Sequence, residues 1–344
     1  MTIALDIGTR KIRSLRREGG RLLGRTNLAE YIALPDTPGH RRLLERVTAS
    51  FGRCQNSLLV IGQSALELAE TLQVPTIPLM PGGRLPVEDP LARQVIASLI
   101  DALLPPAATN GQICWMTVPG AVSTDVDSPE RTFFSQLVRL KGFEPCVVST
   151  GRCVILAELG ANGFTGMGID FGASAVRASL ARHGQEVAHS LLQRGGQWLD
   201  TRLSDSEGSV LFDAQGNQYL DFAAITRWKE SRLVSVLNPL SEREQKLALL
   251  YEELIGETLA KFRVDIVQQT SIANLPQPLP LVCTGGVSRI AGFQGLMEEL
   301  LRDTMFPLEV SDVRCASDAD YAVARGSLIL AELEETAVPI SRVA

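Results

Sequence analysis

The chain has 344 residues, of which 45% are hydrophobic and 21% are charged. This length suits two fused domains better than one simple core, and the composition is that of ordinary globular proteins. A net charge of −6 argues against a partner held by a general basic field, such as nucleic acid or an anionic membrane surface.

The N-terminus reads MTIALDIG, which lacks the basic start and long apolar run of a signal peptide. No apolar stretch reaches the length that crosses a bilayer, so we expect no transmembrane segment. The six cysteines show no CxxC spacing, and several lie in apolar, strand-like runs, which favours buried and reduced thiols. These features together predict a cytoplasmic protein.

The first predicted element is an apolar strand that ends in an Asp-x-Gly turn. In the segment IALDIGTRKIRSLRREGGRLLGR, Asp6 ends the strand and Gly8 lies in the turn. Two further strands follow, joined by a second turn that contains glycine. The pattern predicts a β-meander at the start of the chain.

The next elements predict a small insertion followed by a helix. The stretch PTIPLMPGGRLP (75–86) is typical of a connection that leaves an inserted subdomain. Asp89 and Pro90 predict the N-cap and first turn of a helix.

A second copy of the opening pattern begins at Gly168. The segment GIDFGASAVRASLARHGQEVAHS aligns Asp170 with Asp6 and Gly172 with Gly8, and it again predicts three strands. One Asp-x-Gly turn is a weak signal, because aspartate commonly opens tight turns. Two copies, one near the start of each half, favour a pair of phosphate-binding hairpins over two unrelated turns.

The chemistry of such turns suits a nucleoside phosphate. Backbone N–H groups in a turn of small residues can approach phosphate oxygens, and glycine permits that approach. A carboxylate at the strand end can hold hydrated Mg²⁺, so we expect Asp6 and Asp170 to bind this metal. The alignment also pairs Arg13 with Arg177. The predicted phosphate-binding residues are Gly8, Thr9, Arg10 and Lys11 in the first copy and Gly172, Ala173 and Ser174 in the second.

The last third of the chain predicts two further capped helices. Ser241 and Glu244 form a capping box before a long amphipathic helix. The segment Leu281–Phe293, LVCTGGVSRIAGF, predicts a strand-to-helix turn whose glycines permit tight packing. Ser317 and Asp320 predict a capping box for the final helix.

In their order along the chain, these motifs resemble the ATPase fold shared by actin, MreB-type bacterial actins and heat-shock chaperones. The resemblance runs from Thr2 to about Leu333, and its layout is most similar to the MreB type. It implies an α/β protein with two lobes, each a mixed five-stranded sheet with flanking helices, around a nucleotide cleft. The implied lobe I spans 1–165 with a small subdomain inserted at about 36–90. The implied lobe II spans 166–344, with a helical subdomain at about 201–268 and a final helix at about 318–334 that returns to lobe I.

The resemblance also implies ATP or ADP with Mg²⁺ as the ligand. The segment GGQWLD (Gly195–Asp200) is similar to a Gly-Gly-x-x-x-Asp turn of the family. Arg289 matches a residue that lies against the adenine face, as a planar guanidinium can. The implied nucleoside-binding residues are Gly195, Gly196, Lys229, Gly285, Gly286 and Arg289.

The chain departs from the family at the position that supports hydrolysis. Family members carry a glutamate that positions the attacking water, and alignment on the flanking glycines puts Gly151 there. Glycine cannot orient a water, so we expect weak or absent ATP hydrolysis, with no catalytic residue identified. Asp125 and Asp127 are candidate surrogates, although a place in a surface loop explains them more simply. Thr226 replaces a glutamate that faces the ribose in the family.

The leading hypothesis is an actin-like protein in which ATP and Mg²⁺ drive lobe closure and filament assembly. The alternative is a monomeric, degenerate ATPase that serves as a nucleotide sensor or binds a protein adaptor. A small-molecule kinase of the same superfamily would need a carboxylate base at the cleft mouth, and the sequence points to none. The short tail ETAVPISRVA predicts no chaperone-type peptide-binding domain.

Overall fold

The computed structural model describes residues 2–120, 127–208, 210–212, 218–220, 222–231, 234–269, 272 and 275–337. The strands are β1 (Thr2–Ile7), β2 (Lys11–Glu18), β3 (Arg21–Leu28), β4 (Glu30–Pro35), β5 (Phe51–Cys54), β6 (Ser57–Ile61), β7 (Ile77–Pro78), β8 (Gln112–Thr117), β9 (Phe143–Val147), β10 (Gly166–Phe171), β11 (Val176–Arg182), β12 (Gln185–Leu192), β13 (Val210–Phe212), β14 (Gln218–Leu220), β15 (Leu279–Thr284) and β16 (Val310–Cys315). The helices are α1 (Pro38–Arg46), α2 (Gln63–Leu72), α3 (Pro90–Leu103), α4 (Pro129–Leu140), α5 (Thr150–Glu158), α6 (Gly196–Glu207), α7 (Phe222–Lys229), α8 (Glu242–Val267), α9 (Phe293–Asp303) and α10 (Ala322–Ala337).

Two five-stranded sheets share one topology. The first has the order β3-β2-β1-β8-β9, and the second has the order β12-β11-β10-β15-β16. In each sheet the first three strands are antiparallel, and the last two lie parallel to the central strand. The chain is therefore an α/β protein built from two equivalent halves, each with the mixed five-stranded sheet that the family resemblance implies.

A smaller four-stranded sheet, of order β5-β6-β4-β7, follows the first three strands of the chain. Its strands pair antiparallel, and its apolar face is covered by α1 and α2. Leu44 of α1 and Leu68 of α2 pack there against Ile32 and Leu58 of the strands. The predicted bounds of the lobes and of their inserted subdomains stay predictions.

Two helices begin at the caps that the sequence predicts. The Asp89 side chain accepts a hydrogen bond from the Ala92 N–H at the start of α3. The Ser241 hydroxyl accepts one from the Glu244 N–H at the start of α8, and the Glu244 carboxylate completes the box at the Leu240 N–H. Each bond satisfies an N–H group that the first helical turn leaves without an intrahelical partner.

The predicted cap of the last helix is wrong. Ser317 and Asp320 do not form a capping box, because α10 begins only at Ala322. The Asp318 carboxylate instead accepts hydrogen bonds from the N–H groups of Asp320 and Tyr321. The Asp320 side chain is thereby left for contacts outside the helix.

Helices α5 and α10 lie between the two large sheets. Helix α10 packs Ala324 and Leu328 against Ala4 and Leu15 of the first sheet. Helix α5 packs on β10, β11 and β15 of the second sheet. The two helices also cross each other closely, since a Cβ on Gly326 would lie 1.9 Å from the Cys153 carbonyl oxygen. The two halves are thus joined through this helix pair.

All six cysteines are free thiols, and Cys114, Cys153 and Cys283 are buried. Burial raises the pKa of both Cys114 and Cys153 to about 12, which keeps these thiols protonated and unreactive. Over the described part of the chain, no helix combines the length and apolar character that a membrane span requires.

Candidate functional site

The first hairpin (β1 and β2) and the second hairpin (β10 and β11) turn in the same way. In the first, the Gly8 N–H donates to the Lys11 carbonyl at 3.0 Å; in the second, the Gly172 N–H donates to the Ala175 carbonyl at 3.1 Å. A Cβ would lie 2.7 Å from the acceptor oxygen at Gly8 and 2.9 Å from it at Gly172. Both turns therefore need glycine, because the backbone approaches too closely for a side chain.

The tips of the two hairpins touch. The Thr9 and Ser174 hydroxyl oxygens lie 2.7 Å apart and share a hydrogen bond. Gly83, in the connection from the small sheet, closes over this contact, and a Cβ on it would lie 2.5 Å from the Ser174 hydroxyl. The fold thus brings both sets of predicted phosphate-binding residues together. A phosphate between the two hydroxyls would have to separate the hairpins.

Asp6 ends β1 with both carboxylate oxygens engaged. Oδ1 accepts a hydrogen bond from the Thr117 hydroxyl at 2.8 Å, and Oδ2 accepts one from Arg13 Nη1 at 3.0 Å. Arg13 lies directly opposite Asp6 in the strand register. The Asp6 side chain is only 8% exposed, so the two donors replace the water that burial removes.

Asp170 occupies the equivalent place at the end of β10, opposite Arg177. Burial and the nearby charge of Asp6 raise the pKa of Asp170 to about 6, although Arg177 acts in the other direction. The Thr150 hydroxyl lies beside this carboxyl, but not in the geometry of a hydrogen bond. The second carboxyl is therefore less completely paired than the first.

A small cavity opens beside Asp170. Its volume is about 20 Å³, which is room for about one or two water molecules. Thr150 and Arg177 line it together with residues of β9, β11 and β12. Thr150 Oγ1 and Arg177 Nη2 are fully buried, and neither atom has a hydrogen-bond partner in the protein. Such atoms favour a site that a polar ligand or an ordered water completes.

The two aspartates do not fit the predicted magnesium site. Mg²⁺ requires near-octahedral oxygen ligands and keeps several of its waters. Both oxygens of Asp6 already accept hydrogen bonds, and the guanidinium groups of Arg13 and Arg177 contribute positive charge beside the carboxylates.

The predicted nucleoside-binding glycines adjoin the second hairpin. The Gly196 N–H donates to the Gly172 carbonyl at 3.0 Å, so the hairpin caps the start of α6. A Cβ on Gly285 would lie 2.3 Å from the Phe171 carbonyl oxygen, whereas one on Gly286 would meet nothing within 4 Å. Gly286 is therefore the point at which this turn faces open space.

The predicted nucleoside-binding lysine is engaged within the second half. Lys229, near the end of α7, forms a buried ion pair with Asp200 of α6. Burial raises the pKa of Asp200, and the charge of Lys229 acts against that rise. Thr226, the residue at the predicted glutamate position, donates to the same carboxylate at 3.4 Å.

Asp320 links the nucleoside turn to the first hairpin. Its Oδ2 accepts from Arg289 Nη1 at 2.9 Å, and its Oδ1 accepts from Lys11 Nζ and Arg13 Nη2, both at 3.1 Å. Burial acts to raise the pKa of Asp320, but these cations outweigh it and hold the pKa below its ordinary value. Arg10, the remaining predicted phosphate ligand, lies 3.4 Å from Glu30 and 3.3 Å from Glu230.

The expectation that Gly151 faces the cleft is wrong. A Cβ on Gly151 would lie 2.6 Å from the Ser179 hydroxyl and 2.9 Å from the Gly168 carbonyl, so this residue packs against the second sheet. The residue before it, Thr150, lies at the cavity beside Asp170. The signal for it was the strand–Ser–Thr sequence at the helix start, because Ser149 caps α5 and sets Thr150 in its first turn. Of the two candidate surrogates, Asp127 is exposed and Asp125 lies outside the described residues.

Comparison with known proteins identifies the fold. A family model described as Volactin matches residues 1–331. The solved structure "MamK double helical filament" is 15% identical with a TM-score of 0.66, over 96% of this chain and 98% of that one. MreB5 of Spiroplasma citri bound to AMPPNP is 14% identical with a TM-score of 0.65, over 98% and 97%.

A third structure, the ethanolamine utilization protein EutJ of Carboxydothermus hydrogenoformans, is 16% identical with a TM-score of 0.53, over 95% and 89%. Comparison with curated protein sequences gives no match. These structural neighbours share the two-lobed actin-like fold, which confirms the predicted resemblance and the predicted fold class.

Proposed function

The chain belongs to the Volactin family, and we propose that it is an actin-like protein whose lobes close on ATP or ADP and which assembles into filaments. The observation that carries this proposal is the pair of equivalent hairpins whose tips meet at Thr9 and Ser174. Each half has a backbone turn that needs glycine at the same position. Two such turns facing each other can bind a phosphate from both sides. For a protein with this function we expect a cytoplasmic location.

The nucleotide would lie across the cleft. Its phosphates would displace the hydroxyl contact between the hairpins, and its nucleoside would lie over the open side of Gly286. Arg289 is 56% exposed beside this turn, so its planar guanidinium is available to stack on a base. MreB5, a structural neighbour, has been solved with AMPPNP and with ADP.

Nucleotide binding is tested by filling the open side of the turn. Gly286→Gln should abolish the heat of ADP binding in calorimetry, because the new side chain would occupy the nucleoside position. Gly52→Gln is the matched control, since a Cβ on Gly52 also meets nothing within 4 Å and this residue lies in the small sheet. Wild-type protein that binds neither ATP nor ADP would contradict the proposal.

Filament assembly is supported by MamK, which has been solved as a double helical filament. Sedimentation of the purified protein with ATP, with ADP and without nucleotide tests it directly. We expect the wild type and Gly52→Gln to pellet with nucleotide, and Gly286→Gln to stay in the supernatant. Equal pelleting under all conditions would show that nucleotide does not control assembly.

Hydrolysis should be slow. From helix α5 only Thr150 lines the cavity beside Asp170, and its hydroxyl is a poor base at neutral pH that cannot take a proton from water as a carboxylate does. Single-turnover measurements should give a rate far below the roughly 10 per second of a median enzyme. A rate near that median would show that another group activates the water.

A monomeric nucleotide sensor or adaptor is the second candidate. Ion pairs made by the chain itself join the halves across the outer cleft, Arg10 with Glu230 and Arg227 with Glu70. A clamp closed by its own side chains would signal through its shape and would not need a filament. Nucleotide binding without any nucleotide-dependent sedimentation would favour this candidate.

A further inference from the structure

We propose that Arg13 and Arg177 take the place of a divalent cation, so that this chain binds its nucleotide without Mg²⁺. The inference rests on the proposed nucleotide-binding function. It concerns the form in which the ligand binds, which neither the fold nor the similar proteins specify. The two arginines and their carboxylates carry the argument.

The placement of the arginines is systematic. Each lies seven residues after the aspartate of its own hairpin, and each is that aspartate's direct partner in the strand register. Arg13 donates to Asp6 at 3.0 Å, while Arg177 lies close enough to both aspartates for their charges to act on it. The same pairing in both halves argues against two unrelated surface ion pairs.

The charges balance without a metal. Asp6 and Asp170 carry two negative charges when both are ionised, and Arg13 and Arg177 carry two positive charges. One Mg²⁺ would supply the same charge to the same carboxylates. In the absence of nucleotide, a metal added to the present set would leave two excess positive charges in a largely buried site, which is unfavourable.

The arginines also supply the donors that a phosphate requires. A guanidinium presents five N–H groups in a fixed plane and matches phosphate oxygens well. Arg177 Nη2 is buried without a partner at the small cavity. Arg13 can exchange one of its carboxylate partners, Asp6 or Asp320, for a phosphate oxygen. A bound metal would also link a carboxylate to a phosphate, so the two arginines can replace it in that role.

The experiment measures ADP binding by calorimetry in excess EDTA and in millimolar Mg²⁺. We expect the two wild-type affinities to agree within about twofold, a difference of about 0.4 kcal/mol. Melting temperatures of the wild type with Mg²⁺ alone and with EDTA alone should also agree. This second measurement needs no variant and no nucleotide.

The sharper test removes the two guanidinium groups. In the double variant Arg13→Met with Arg177→Met, the carboxylates lose their counter-charges and should now recruit the metal. We expect its ADP affinity in EDTA to fall at least about tenfold, with Mg²⁺ restoring it. Mg²⁺ alone should raise its melting temperature. Arg16→Met is the matched control, because Arg16 lies in the same strand and pairs with Glu18 instead.

The outcomes separate this inference from the function on which it rests. Wild-type ADP binding that disappears in EDTA and returns with Mg²⁺ would overturn the inference and leave nucleotide binding intact. ADP binding absent under both conditions would overturn the proposed function and the inference with it. A double variant that does not fold leaves the wild-type comparison as the decisive measurement.

Discussion

The first and second hairpins are the same backbone structure with different degrees of completion. In the first, each oxygen of the Asp6 carboxylate accepts a hydrogen bond, one from Thr117 and one from Arg13. In the second, Asp170 is buried with a raised pKa, and two neighbouring polar atoms, Thr150 Oγ1 and Arg177 Nη2, have no partner. The same unit thus forms a fully paired carboxylate in the first half and a polar site with unpaired atoms in the second half.

The difference shows where a ligand can contribute most. A fully paired carboxylate gains little from a new partner, whereas buried donors without partners gain a whole hydrogen bond. The second hairpin is therefore where nucleotide or water should change the stability most. Four changes test this comparison, and they differ in the size of the effect that we expect.

The largest effect should come from Gly151→Glu, which wedges α5 away from the second hairpin. The new Cβ would collide with Ser179, whose hydroxyl donates to Glu186, so the new carboxylate would be forced into a packed site beside another carboxylate. We expect a loss of about 4 kcal/mol or more in the free energy of unfolding. Urea denaturation measures it, with Gly286→Ala as the control, because a Cβ there meets nothing within 4 Å. A stable Gly151→Glu protein would mean that α5 does not hold this hairpin.

The next largest effect should come from Asp6→Asn. The change leaves Arg13, whose side chain is only 14% exposed, without its charged partner within the hairpin. We expect a loss of about 3 kcal/mol, as for other broken ion pairs that are largely buried. Asp265→Asn, in the exposed helical pair with Lys261, should cost less than about 0.5 kcal/mol and is the control. A loss as small as that of the control would show that the ion pair between Asp6 and Arg13 does not stabilise the first hairpin.

Asp170→Asn should have the opposite sign. The pKa of Asp170 is about 6 in the folded protein, above its ordinary value of 3.8, so its ionised form is unfavourable in the fold. The wild type should therefore lose stability as pH rises from about 4 through 6, by at most about 3 kcal/mol. The asparagine variant lacks this loss and should be the more stable protein at pH 7. Unfolding free energies at a series of pH values measure the difference, and a constant difference would contradict the raised pKa.

The smallest effect concerns the contact between the hairpins. Thr9→Val and Ser174→Ala each remove one hydroxyl of the 2.7 Å pair, and each should cost about 1 kcal/mol. Since the two hydroxyls share one hydrogen bond, the double variant should cost little more than either single change. A double-mutant cycle by urea denaturation measures this coupling. Additive losses would show that the tips do not touch in solution.

Much of this arrangement could be predicted from the sequence because it is local. The alignment of Asp6 with Asp170 and of Arg13 with Arg177 reappears in the strand registers, since hairpin pairing follows directly from residue spacing. The caps at Asp89 and Ser241 are confirmed for the same reason. The fold follows from the order of such local units along the chain.

What the sequence could not predict depends on side chains distant in the chain. Counting from flanking glycines gave no direction to a helical side chain, so it put Gly151 in the cleft where the structure has Thr150. The capping box at Ser317 failed because Asp320 is drawn to Lys11 and Arg289, cations from opposite halves. The predicted nucleotide contacts and domain bounds stay predictions.

The close crossing of α5 and α10 has a mechanical consequence. Each helix is fixed to a different sheet, and at Gly326 their backbones are in contact with no side chain between them. A contact of this kind resists sliding of one helix along the other but permits a small rotation, so the two sheets can rotate about it. A small rotation about this contact displaces nearby atoms little and displaces atoms far from it much more. The distance between Glu70 of α2 and Arg227 of α7 should therefore change most when the two halves separate. A pair of labels on these two helices would measure that change.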